Sequence, residues 1–169
     1  MRILIVAAPL LLLAACSDDA PAPDKRAGEA KQLSPGAYEV TAKVTSLTAT
    51  DKGKPASKAK AGDTTSLKGC VAADGTPDAS LFVEAGDVCS PTQSYARGAI
   101  LNIQYHCTRK GTSGSVNYSI SGDFKADSFT AKVTEGTSFT TPDDYQLLSD
   151  LTAKRVGNCP AAAATTAKG

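Results

Sequence analysis

Hydrophobic and polar residues alternate with a period of two through most of the middle of the chain. In "AYEVTAKV", Tyr38, Val40, Ala42 and Val44 fall on one face, and Glu39, Thr41, Lys43 and Thr45 on the other. Side chains of an extended chain leave opposite faces in turn, so this is the pattern of a strand with one face buried. The same period aligns Leu101, Ile103, Tyr105 and Cys107. It aligns Val116, Tyr118, Ile120 and Phe124, then Phe129, Ala131 and Val133, then Tyr145, Leu147, Leu151 and Ala153. Two weaker strands fit residues 64–71 and 88–96. Clusters of Gly, Asp, Ser and Lys separate the runs at short spacing, as antiparallel hairpins require. The expected fold is mainly β: an antiparallel meander of about seven strands forming a curved sheet or a small barrel.

One segment departs from the period. "GTPDASLFVEAGD" offers Thr76 as an N-cap, Pro77 at a first helical position, Asp78 in the first turn and Gly86 as a stop. One short helix is expected over residues 77–85, with Leu81 and Phe82 packed on the sheet.

The ends are different in kind. Arg2 is the only charge before residue 18, and residues 3–15 are apolar or small, interrupted only by Pro9. A membrane-spanning helix needs about 20 apolar residues, so this run fits a secretory signal. An ordinary cut after Ala15 would put Leu13 at a position that prefers small residues. "LAAC", Leu13 to Cys16, instead resembles the bacterial lipobox. That resemblance implies residues 1–15 as a lipoprotein signal peptide and Cys16 as the acylated first residue of the mature chain. Ser17 after the cysteine, by likeness to enteric sorting rules, favours the outer membrane. The expected location is the cell envelope, on the periplasmic side, with the membrane as a partner through the lipid. Residues 16–34 are charged and rich in Ala and Pro, and bury too little surface to offset their ordering entropy. They are expected to be a disordered tether to a domain over residues 35–160. The Ala-rich tail, 161–169, lacks an amphipathic face and is expected to be disordered.

The charge is nearly balanced, with 18 Lys and Arg against 17 Asp and Glu. Nucleic-acid binding needs a basic face, so it is not expected. With no Trp, the core is modest. The chain has 5 cysteines. The lipobox claims Cys16, and Cys70, Cys89, Cys107 and Cys159 remain, an even set that suits two disulfides in an exported protein. None is spaced C-x-x-C, which argues against a zinc ribbon or a thioredoxin-like site. Cys89 and Cys107 lie equally far from Gly98, so a hairpin centred there brings them together and leaves Cys70 with Cys159. The rival pairing, Cys70 with Cys89 and Cys107 with Cys159, stays open.

Candidate chemistry is sparse. The single histidine, His106, neighbours Cys107 on a strand, so their side chains leave opposite faces and form no dyad. His106 shares its face with Asn102 and Gln104, a polar outer surface. Asp143 with Asp144, and Asp123 with Asp127, read as turn residues that bond the backbone. No cluster offers the six or more oxygens of a calcium site. No metal or cofactor is expected. "DKGKPASKAKAG", residues 51–62, carries four lysines that could grip an anionic lipid or glycan, though a solvated hairpin loop explains them as well.

The order "GAYEVT", "KGCV", "VCSPTQSYARGAILNIQYHC", "GDFKADSFTAKV" and "KRVGNCP" resembles the domain-of-unknown-function 3617 family, over about residues 35–160. The matching positions are Gly36, Tyr38, Glu39, Val40 and Thr41, the four cysteines, and Arg155, Gly157 and Cys159. Tyr38 stands where the family commonly has Trp, and methionines frequent in its later strands are Thr and Leu here. The resemblance implies an exported β domain and no particular activity. The expected function is a lipid-anchored envelope module that binds or scaffolds, with an envelope protein or a small ligand as partner, and not an enzyme. An inhibitor of a cell-wall hydrolase is the alternative, and a hydrolase ranks behind both.

Overall fold

The computed structural model describes residues 30–160. The expected signal peptide, residues 1–15, Cys16 and the expected tail, 161–169, lie outside the described residues. The period-two pattern becomes seven strands: β1 (Gly36–Ala49), β2 (Thr64–Val71), β3 (Asp87–Arg97), β4 (Ile100–Arg109), β5 (Gly114–Lys125), β6 (Ser128–Phe139) and β7 (Tyr145–Gly157). They pair antiparallel in the order β2-β1-β7-β6-β5-β4-β3. The run from β3 to β7 is a plain meander, and β1 then closes against β7 with β2 outside it. The sheet ends at β2 and β3, which do not pair with each other. The result is a curled half-barrel, not a closed barrel.

Apolar positions of each strand share the concave face. Tyr38, Val40, Leu101, Ile103, Val116, Ile120, Phe124, Phe129 and Leu151 are all buried there. The connection from β2 to β3 must travel from one edge of the sheet to the other. It crosses the concave side and drives Leu81, Phe82 and Val83 into the core. The Phe82 ring lies tilted against Phe129, centroids 5.5 Å apart. Burying side chains of this size stabilises by about 1.5–3 kcal/mol each.

This crossing segment corrects the expected helix over residues 77–85. Only a single 3-10 turn forms, Ala79–Leu81, capped by Asp78, whose carboxylate accepts the Ser80 N–H at 2.8 Å. Pro77 does not start a helix because it is held extended in a bridge with Val71. Leu81, Phe82 and Val83 are consecutive and all buried. A surface helix buries one stripe, not three neighbours in a row.

The expected tether, residues 16–34, overlaps the domain. Leu33 is fully buried in the core, and the Ser34 N–H donates to Ala126 O at 2.7 Å. Tyr38 Oη donates to the Ser34 carbonyl at 2.9 Å, with the Ala126 carbonyl at 3.1 Å. Residues 30–34 therefore belong to the domain.

Turns follow local chemistry. Gly98 and Ala99 both take positive φ, 58° and 64°, and link β3 to β4 as a two-residue hairpin turn. Gly122, inside β5, lies so close to β6 that a Cβ would run into the backbone of Thr130 and Ala131. Such a glycine marks a bend in the sheet. The lysine-bearing loop does more than span β1 and β2. Its Ala56 N–H donates to Asp143 O at 3.0 Å, and Asp51 accepts the N–H groups of Gly53 and Asp144. Ala59 packs against the cluster of Val44, Tyr145 and Leu147, while the four lysines are exposed.

Candidate functional site

The concave face contains a polar cluster at positions whose neighbours are core. Arg109, the last residue of β4, continues the inward parity of Leu101, Ile103, Tyr105 and Cys107. Its direct cross-strand partner is Asp87, the first residue of β3. The guanidinium donates Nε to Oδ1 at 2.7 Å and Nη2 to Oδ2 at 2.8 Å. Arg109 also donates to Tyr145 Oη at 2.7 Å, Tyr118 Oη at 3.1 Å and Glu135 Oε1 at 3.0 Å, and pairs with Glu84 Oε2 at 3.0 Å. Tyr118 Oη in turn donates to Asp87 Oδ2, and Tyr145 Oη to Glu135 Oε1. Five elements thus converge on one guanidinium.

Burial decides the electrostatics. The side chains of Asp87 and Glu135 are 1% and 3% exposed. Desolvation raises the Glu135 carboxyl above its ordinary range, against the opposing bonds from Tyr145 and Arg109. The two-pronged bond to Asp87 raises Arg109 further, so it stays charged. Burial raises the phenols of Tyr118 and Tyr145, and both remain neutral donors. One guanidinium faces three carboxylates, a formal surplus of two negative charges.

Beside this cluster the half-barrel leaves a cavity of about 290 Å³. Its walls are Ala42 and Val44 of β1, Leu67 of β2, Phe82 and Val83 of the crossing segment, Val133 of β6, and Leu147 and Leu151 of β7. Tyr118, Glu135, Glu84 and Ser149 add polar groups, and Lys58 and Asp63 also line it, from the loop end. Glu135 presents its two oxygens differently. Oε1 takes both bonds, from Arg109 and Tyr145. Oε2 takes neither of these bonds and is not fully buried, and Glu135 lines the cavity. A wider groove of about 740 Å³ lies at the β5–β6 turn, around Phe124 and Phe129. Its charged residues, Asp123, Lys125 and Lys154, are exposed, so nothing there is held in a low-dielectric setting.

The residues singled out by sequence fall elsewhere. Cys89 and Cys107 are cross-strand partners at disulfide distance, with Cα atoms 4.0 Å apart. Cys70 and Cys159 also lie at disulfide distance, Cα atoms 5.9 Å apart. Ala37 of β1 is opposite both Cys70 and Gly157, so this second pair straps the start of β1 from both sides. His106 is exposed on the outer face, with Nδ1 2.9 Å from Asn117 Oδ1. Asp143 and Asp144 accept local bonds, from Thr141 and from the Phe139 N–H. Among the described residues, no three His, Cys, Asp or Glu side chains are grouped to hold a metal ion. Sequence reasoning missed Arg109, Asp87, Glu135 and Glu84. The available signal was charge at inward parity: Glu135 continues Phe129, Ala131 and Val133, just as Arg109 continues β4.

A disulfide-distance β half-barrel with a lined concavity is the class that fold and site define. A family model described as protein of unknown function (DUF3617) matches residues 33–159, and the chain belongs to that family. No curated protein and no solved structure matches it.

Proposed function

We propose that this protein is a lipid-anchored envelope module that binds a small, largely apolar molecule in the concavity of its half-barrel. One observation carries the proposal: a cavity of about 290 Å³ with apolar walls and a few convergent polar groups. Ligand sites are typically about 300–1,000 Å³ with that kind of lining, so a small ligand fits. The "LAAC" motif supports the anchor, and the two cysteine pairs suit an oxidising compartment outside the cytoplasm. The reading requires no catalytic step.

Hexanol, as a neutral apolar probe, tests the site. It is expected to shift the NMR methyl signals of Val44, Leu147 and Leu151 saturably. Ala42→Phe, which fills the cavity, is expected to abolish the shifts. Shifts that do not saturate, or that survive Ala42→Phe in a folded protein, overturn the proposal.

A further inference from the structure

Resting on that cavity, the geometry points to a ligand of one polarity: we propose a small amine, an apolar body bearing an ammonium group, with the ammonium held by Glu135. Three observations converge. Glu135 is 3% exposed and lines the cavity, and its Oε1 takes the bonds from Arg109 and Tyr145 while Oε2 takes neither. That oxygen is not fully buried, so it is free to accept a bond from a ligand's donor. The only guanidinium in the cluster is committed to Asp87, Glu135 and Glu84, which leaves two negative charges unbalanced. Most of the remaining lining is carbon, including Val44, Leu67, Leu147 and Leu151, and suits an alkyl or similar body, with Ser149, Lys58, Asp63 and Thr65 as its other polar residues.

The same groups act against other heads. A carboxylate or phosphate placed at Oε2 would meet a like charge in a water-poor site. A neutral hydroxyl could donate one bond but would leave the surplus charge unbalanced. An ammonium donates a charge-assisted bond, roughly twice as strong as a neutral one. Every facing group bears on its pH dependence. These are Arg109 of β4, Asp87 of β3, Tyr118 of β5, Tyr145 of β7, Glu84 of the crossing segment, and Lys58 and Asp63 of the loop. Burial raises the Glu135 carboxyl, so protons compete with the ammonium for that site as pH falls.

Isothermal calorimetry with hexylamine, hexanol and hexanoate tests this on the full mature chain carrying Cys16→Ser, so that no acyl chain competes. Hexylamine is expected to bind about tenfold more tightly than hexanol, with hexanoate weakest. Glu135→Gln is expected to remove the amine's advantage and keep hexanol binding. Should that variant not fold, the unsubstituted site is decisive by itself. Lowering the pH is then expected to weaken hexylamine and leave hexanol unchanged. Hexanol binding as tightly as hexylamine, a preference that survives Glu135→Gln, or a preference that does not change with pH overturns the amine assignment and leaves the cavity reading intact. Failure of all three probes overturns both.

Discussion

Cys89 stands opposite Cys107 because Thr92 is skipped in the pairing of β3 with β4. The turn is centred between Gly98 and Ala99, with Arg97 opposite Ile100. Regular pairing from there would place Cys89 against Thr108. The register shifts between Pro91 and Gln93, one residue of β3 is left unpaired, and the cysteines align. A one-residue shift of this kind is a β-bulge.

Deleting Thr92 should therefore leave the Cys89–Cys107 link able to form, since it removes the unpaired residue and keeps Cys89 opposite Cys107. Non-reducing peptide mapping of the deletion variant checks this. A fragment joining Cys89 to any other cysteine contradicts it.

Replacing both members of a pair by serine should destabilise in proportion to the loop closed. The sequence separations are 18 and 89. In the chain-entropy model these correspond to about 3 and about 4.6 kcal/mol. Urea unfolding of the two double-serine variants should show a larger loss for Cys70 with Cys159.

Arg109→Met should cost about 3–5 kcal/mol, because it leaves Asp87 and Glu135 buried without their cation. Arg109→Lys should recover only part, since an ammonium lacks the fork that engages both Asp87 oxygens. Chemical denaturation of both variants provides the measurement.

Much of the fold was legible because half-buried strands write themselves as alternation. β2, largely exposed at an edge, was a weaker signal than β4, yet its bounds came out at Thr64–Val71. The crossing segment was not legible as it is. Its T-P-D opening has helix-start chemistry, but tertiary burial of Leu81, Phe82 and Val83 on all sides overrides local propensity. Leu33 was visible as the lone large apolar residue of an otherwise polar stretch, and it is a core residue. The polar cluster was hidden for another reason. Asp87, Arg109, Tyr118, Glu135 and Tyr145 come from five strands, and only the strand order brings them together.

The stability contributed at Glu135 should fall as pH rises. Burial raises its carboxyl above the unfolded value of about 4.3. The folded state then binds the proton more tightly than the unfolded chain. The contribution is complete below the unfolded value and is lost as pH rises through the folded one. Subtracting the pH–stability profile of Glu135→Gln from that of the unsubstituted protein should reveal this decline.

Tyr38→Phe should cost about 1 kcal/mol by removing the hydroxyl that ties Ser34 and Ala126 together. Amide exchange at Ser34 should quicken with it, because that N–H bonds the same Ala126 carbonyl.

Mass spectrometry of the native N-terminus should find the chain starting at an acylated Cys16, as "LAAC" implies. A start elsewhere, or an unmodified cysteine, contradicts the anchor.

The half-barrel keeps two free rims, and an open rim invites copies of a chain to stack into a growing fibre. The rim formed by β3 is poorly suited to that. Pro91 lacks an N–H, and the skipped Thr92 throws the row of donors and acceptors out of step. On the other rim, Lys68 is exposed, and β2 is the shortest strand. Crowded side by side, such molecules would stay separate. The irregularity that aligns a pair of cysteines also blunts the edge along which the sheet could polymerise.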